Sequence, residues 1–308
     1  MKKSKKILAA IMAVLSLSMI IPTISPVEAA SSKVYINYTQ SYDSTTGTTV
    51  YKSGSKKLLF STFDEVSCRV YEEGTGAKIK NLKVNKSGLK AKVTNTNSNV
   101  YSDSTYGTSS RFSTITLYAK KTGTYKVTFK INSKSYTLTC KVVTSTNAFS
   151  KATFGSQEVS SRVITDGSNG YTSVITSNNK VSGSKGKFKV TANSDAGYKV
   201  TGLVVLSANK KGKATFKSVK NGRSITLSKA KLKYTSDDGY TTYTDAKKYT
   251  YVYVSYKNST TGESVKYSIG KDPTTNQKAI KCVYKDNSGQ TYTSYYTNGS
   301  GSDYEIWN

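Results

Sequence analysis

Gly123 to Val143 reads GTYKVTFKINSKSYTLTCKVV, and its alternation decides the fold class. Tyr125, Val127, Phe129 and Ile131 alternate with Lys126, Thr128 and Lys130. After Asn132-Ser133, Tyr136, Leu138, Cys140 and Val142 alternate with Thr137, Thr139 and Lys141. A period of two puts each apolar set on one face of an extended strand. The short polar break between the two runs is a hairpin turn. The segment therefore predicts an antiparallel hairpin with one apolar face and one hydroxyl/lysine face.

The same grammar extends along the chain in both directions. Turn signals recur at short intervals, among them Thr46-Gly47, Ser87-Gly88, Asn221-Gly222, Thr261-Gly262 and Asn287-Ser288-Gly289, and no long stretch shows helical spacing. Such punctuation predicts an all-β protein, and the length beyond the leader is too great for one small sandwich. The expected organisation is a leader over 1–30, two tandem Ig-like antiparallel β-sandwiches over 31–146 and 147–297, and a flexible tail over 298–308 with Tyr304, Ile306 and Trp307 as its candidate tether. Thr144 to Ser150 loses periodicity and marks the linker, and the second sandwich carries a C-terminal hairpin, Ala279–Lys285 with Gln290–Tyr296. A further hairpin joins Tyr249–Lys257 to Glu263–Ile269. A four-residue loop there, Ser259 to Gly262, sets Val252, Val254 and Tyr256 opposite Ile269, Tyr267 and Val265, with Tyr249, Tyr251 and Tyr253 on the other face; a five-residue loop instead pairs that tyrosine stripe with the apolar residues of the second strand.

Gly123, Thr124, Tyr125, Val127, Phe129, Ser135, Tyr136, Thr137, Cys140, Lys141 and Val142 together resemble the closing hairpin of bacterial Ig-like domains of group 2. The resemblance implies a sandwich of the kind repeated in secreted and surface proteins of Gram-positive bacteria. The tryptophan motif usual near the middle of such a domain is missing, since the chain's one tryptophan is Trp307. The resemblance also implies no antibody-type disulfide, because Cys140 falls on the last strand of the domain.

The first thirty residues read as a secretory signal. Lys2, Lys3, Lys5 and Lys6 precede an apolar run from Ile7 to Ile21, and Val27-Glu28-Ala29 offers a small-residue cleavage site. The run is shorter than the ~20 apolar residues of a membrane span. The expected product is secreted, either extracellular or held non-covalently at the cell wall, with no membrane span after cleavage. The whole chain carries 46 Lys plus Arg against 18 Asp plus Glu, a net charge of +28; losing four lysines and Glu28 leaves +25. Only Arg69, Arg111, Arg162 and Arg223 are arginines, and the lysines are scattered. Lysine is a diffuse point charge where arginine reads bases and phosphates in bidentate fashion. The expected partner is thus an anionic cell-wall or extracellular polysaccharide or teichoic-type polymer, with other surface proteins as further partners and no sequence-specific nucleic acid. At any one position the alternative is a lysine that solvates a strand or guards an edge.

The chain has no histidine, which removes Ser-His-Asp triads, Cys-His dyads and His-ligated metal sites. No catalytic residue, cofactor or metal site is expected. Strand phase turns Cys68 and Cys140 inward, where a disulfide and two buried thiols fit equally; Cys282 has no evident partner. The acid pairs Asp64-Glu65, Glu72-Glu73 and Asp237-Asp238 read as solvated turn residues, and no acid is expected inside an apolar strand. A carboxylate-based glycan hydrolase would need two such acids facing one groove. The remaining constellation is aromatic. Tyr249, Tyr251 and Tyr253 form a stripe that, if exposed, would stack on sugar rings, giving the alternative of a carbohydrate-binding or host-adhesion module. The competing account makes them strand residues covering a sheet face.

Overall fold

The computed structural model describes residues 33–73, 78–100, 110–161, 179–235, 241–242 and 247–308, and every regular element among them is a strand. The leader 1–30 and the acids Asp237, Asp238 and Asp245 lie outside the described residues.

Ten strands precede residue 144: β1 (Val34–Ile36), β2 (Thr39–Asp43), β3 (Thr48–Lys52), β4 (Lys57–Ser61), β5 (Glu65–Glu72), β6 (Ile79–Val84), β7 (Leu89–Val100), β8 (Ser110–Ala119), β9 (Gly123–Ile131) and β10 (Lys134–Val143). They build two facing sheets, ordered β1-β5-β8-β7 and β4-β10-β9-β6, with β2 and β3 as a separate hairpin. β9 and β10 form the expected hairpin in register Tyr136↔Phe129, Leu138↔Val127 and Cys140↔Tyr125. Its two-residue turn holds Asn132 at a φ of 52°, a left-handed conformation that asparagine tolerates. The apolar phase of both strands is buried against Ile36, Leu58, Phe60, Cys68, Val70, Ile115 and Leu117. One pairing departs from the antiparallel expectation. β4 runs parallel to β10, from Thr139↔Lys57 to Val143↔Ser61. The reason lies in the order β4-β10-β9-β6: β4 and β10 belong to different parts of the chain, so no hairpin turn forces them antiparallel.

The remaining strands are β11 (Phe149–Phe154), β12 (Gln157–Glu158), β13 (Lys185–Ala192), β14 (Tyr198–Ala208), β15 (Ala214–Val219), β16 (Ser224–Thr226), β17 (Tyr234–Thr235), β18 (Thr241–Thr242), β19 (Thr250–Asn258), β20 (Ser264–Lys271), β21 (Lys278–Lys285), β22 (Thr291–Tyr296) and β23 (Tyr304–Ile306). A four-stranded sheet, β12-β11-β13-β16, faces a larger one ordered β15-β14-β19-β20-β21-β22. Between them Phe154, Phe188, Val190, Leu203, Val205, Val252, Val254, Tyr304 and Ile306 make a second core.

The β19–β20 loop has the four-residue length, because Asn258 N donates to Glu263 O and Tyr256 sits opposite Val265. Beyond that row β20 leaves β19, and β23 takes the vacated edge with Thr250↔Ile306 and Val252↔Tyr304. Within the tail 298–308, Ile306 and Tyr304, two of the three candidate tether residues, are core residues, 0% and 2% exposed. Its Gly/Ser-rich approach conceals a three-residue strand that completes a sheet. After the departure β20 packs over β14 and β15, so the large sheet curls back on its own outer face. A third core fills that curl, formed by Val204, Leu206, Tyr251, Tyr253 and Ile280.

Candidate functional site

The curl decides the fate of the tyrosine stripe. Tyr251 and Tyr253 are 7% and 0% exposed, and Tyr249 packs partly buried against the same core. Tyr253 lies 5.3 Å from the Tyr267 ring and 6.0 Å from the Tyr296 ring, and its hydroxyl donates to Ser300 O. Gly299, with φ +86°, sits so close to the Tyr251 ring that an added Cβ would meet it at 2.5 Å. The expectation that these rings form an open sugar-stacking stripe is thus corrected: a second layer of the same sheet covers them. A stacked pair does reach solvent elsewhere, Tyr284 with Tyr292 at 6.0 Å and 22°, with Tyr292 45% exposed.

Cys68, on β5, and Cys140, on β10, project from opposite sheets into the first core as free thiols, as does Cys282 in the other half of the chain. Burial pushes both Cys68 and Cys140 up to about 12, which keeps them protonated and weakly nucleophilic. Burial also raises Cys282, which is hydrogen-bonded to Tyr267.

Among the described acid pairs Glu72 departs from its expected solvated role, and two acids outside those pairs, Glu305 and Asp303, are buried or partly buried. Asp64 and Glu65 are exposed. Glu72, however, is 2% exposed at the end of β5 and accepts a 2.7 Å hydrogen bond from Asn132 Nδ2, tying that strand to the tip of the β9–β10 hairpin. Glu305 is buried within β23. Asp303, just before β23, is partly buried, and its Oδ2 accepts a 2.6 Å bond from Val254 N. Burial raises the Asp303 carboxyl to about 7 despite that bond. Glu72 and Asp303 thus each hold a neighbouring N–H donor, and no three Cys, Asp or Glu side chains gather as a metal-binding group among the described residues.

The concave feature that sequence reading did not find lies where β15 and β16, the edges of the two facing sheets, part. It encloses about 560 Å³. Val205, Val219, Ile225 and Leu227 form its floor, and Lys210, Lys211, Lys217 and Lys229 line it. All four lysines are exposed, and no acid lines the cleft. A smaller space of about 170 Å³ between Ser87, Gly88, Lys90, Tyr118, Lys120 and Lys121 is lysine-lined too. The signal for the larger cleft was present in KATFKSV (213–219), where Lys217 shares the phase of Val219.

No protein-family profile and no characterised protein matches the chain in sequence. Among solved structures, a fragment of the S-layer protein SbsC comprising domains 5–6 aligns over 80% of this chain and 95% of its own length, at 12% identity and a TM-score of 0.24. A longer SbsC structure, residues 31–844, aligns over 82% of this chain and 27% of its own, at 11% identity and a TM-score of 0.26. A chimeric titin Z1Z2 aligns over 66% of this chain and 86% of its own, at 11% identity and a TM-score of 0.17.

Proposed function

We propose that this chain is a secreted, non-catalytic β-sandwich surface protein that adheres to anionic cell-wall or extracellular polymers of the teichoic or acidic-polysaccharide kind. The carrying observation is charge. Without residues 1–30 the chain keeps 42 cations and 17 anions, and pairing every acid with a separate base still leaves 25 bases without an acidic partner. The strands turn these bases outward: Lys126 and Lys130 on β9, Lys185, Lys187 and Lys189 on β13, and Lys199 on β14 are all exposed. A low-dielectric body under such a coat draws polyanions by long-range attraction. The leader, the absence of histidine and the burial of all three thiols support the same reading. Organisation as two tandem Ig-like domains, with the boundaries expected from sequence, belongs to this proposal as well; none of the three core clusters draws residues from both sides of 144–148.

The test is retention of the chain on isolated Gram-positive walls before and after their anionic polymers are stripped. The reading predicts retention on intact walls and its loss on stripped ones. Equal retention on both would reject a polyanion as the partner.

A further inference from the structure

β15 pairs with β14 so that Val219 faces Leu203, Lys217 faces Val205 and Thr215 faces Ser207. Leu203 and Val205 belong to the core between the two sheets. Lys217 and Thr215 therefore occupy the inward phase that valine, leucine and phenylalanine fill elsewhere in this half of the chain. They are exposed, because the opposite sheet ends at β16 and the cleft opens between the two edges. A lone inward lysine at a sheet edge has an ordinary use, since it hinders pairing with another chain's strand. That use does not explain its company. Lys210 and Lys211 come from the β14–β15 turn and Lys229 from the segment after β16, and all three line the same space.

The turn holds its lysines on a fixed backbone. Asn209 Oδ1 accepts hydrogen bonds from Lys211 N at 2.9 Å and Lys213 N at 3.1 Å, and Gly212 closes the turn with φ +75°. On the other wall Lys229 N donates to Ala208 O, and Ser228 Oγ accepts from Ala208 N. Four ammonium groups around one concavity repel each other, and its apolar floor focuses their field on whatever enters. The floor offers the C–H faces of a sugar or polyol a surface, while the Ser207, Thr215 and Thr226 hydroxyls stand beside it as hydrogen-bonding groups.

We propose that this cleft seats a short segment of a linear polyol or sugar chain bearing phosphate or carboxylate groups. The proposal rests on the adhesion reading above and gives it a place. A second copy of this chain is a poor occupant, because even without its leader it brings a charge of +25 to a cationic site.

The experiment uses the full secreted chain with three probes: a glycerol-phosphate polymer, polygalacturonate and neutral dextran. Lys210→Gln/Lys211→Gln/Lys217→Gln removes three charges from the cleft. Lys126→Gln/Lys130→Gln/Lys134→Gln removes three exposed charges from the β9–β10 hairpin. Thr215→Trp fills the cleft with no change of charge; if it melts early, Thr226→Trp blocks from the opposite wall. The cleft triple and the tryptophan variant should each weaken binding to one anionic polymer by about tenfold or more, and the hairpin triple by less than about threefold. The polymer most affected distinguishes phosphate from carboxylate. Equal losses in the two triples, or wild-type binding by a stably folded tryptophan variant, would overturn the cleft while leaving diffuse adhesion standing. No binding of wild type to either polyanion at low salt would remove both.

Discussion

Tyr251 and Asp303 show how a single residue's role follows from what covers it. From sequence, Tyr251 stood open between a wet stripe and a ring covering a sheet face, and Asp303 carried no reading at all. In the structure both sit where β20 has left β19. Tyr251→Ala would open a cavity in the third core, and a buried aromatic truncation costs about 3–5 kcal/mol. Chemical denaturation of the variant should show that loss; unchanged stability would mean the ring is not packed as described. Asp303 makes a pH prediction with a definite sign. Its folded value, about 7, lies above the ordinary aspartate value of 3.8, so the folded state prefers the protonated form. Its contribution is full below about pH 4 and is lost as pH rises to 7, a decline on the order of 2–4 kcal/mol. Asp303→Asn should flatten stability between pH 4.5 and 8 and gain most at pH 8. A variant that loses stability equally at both values would contradict the assignment.

Among elements, the β9–β10 hairpin was legible because each strand has one apolar phase and a short turn fixes its register. The thiols Cys68 and Cys140 were placed inward by that same phase. The tyrosines of β19 were not legible in this way, since alternation separates two faces without saying whether either is wet. β19 is buried on both, by the facing sheet on one side and by the returning strands on the other. β23 was legible only as a tether through Tyr304 and Ile306: three residues in a polar tail leave no period to mark a strand, yet they complete a sheet. Deleting 303–308 should therefore destabilise the second half by several kcal/mol, since it removes Tyr304 and Ile306 from the core. Hydrogen exchange would report this as lost protection in β19 and β14, with β9 and β10 unaffected. Protection unchanged in β19 would show that the tail contributes nothing.

For the molecule as a whole, fold class was readable from turn spacing and alternation, whereas the cleft was not, because two sheet edges meet there that are far from obvious in a list of lysines. Charge is the property that both scales share. In the proposed function a basic coat on a β-sandwich is the working part. Adhesion driven by counterion release weakens steeply and linearly on a log–log plot as salt rises. The most direct measurement is the affinity of the chain without residues 1–30 for purified wall polyanion from about 20 to 300 mM salt, where Debye screening tightens severalfold. The account predicts a fall of at least about a hundredfold across that range. Affinity that stays constant across it would contradict the electrostatic claim outright.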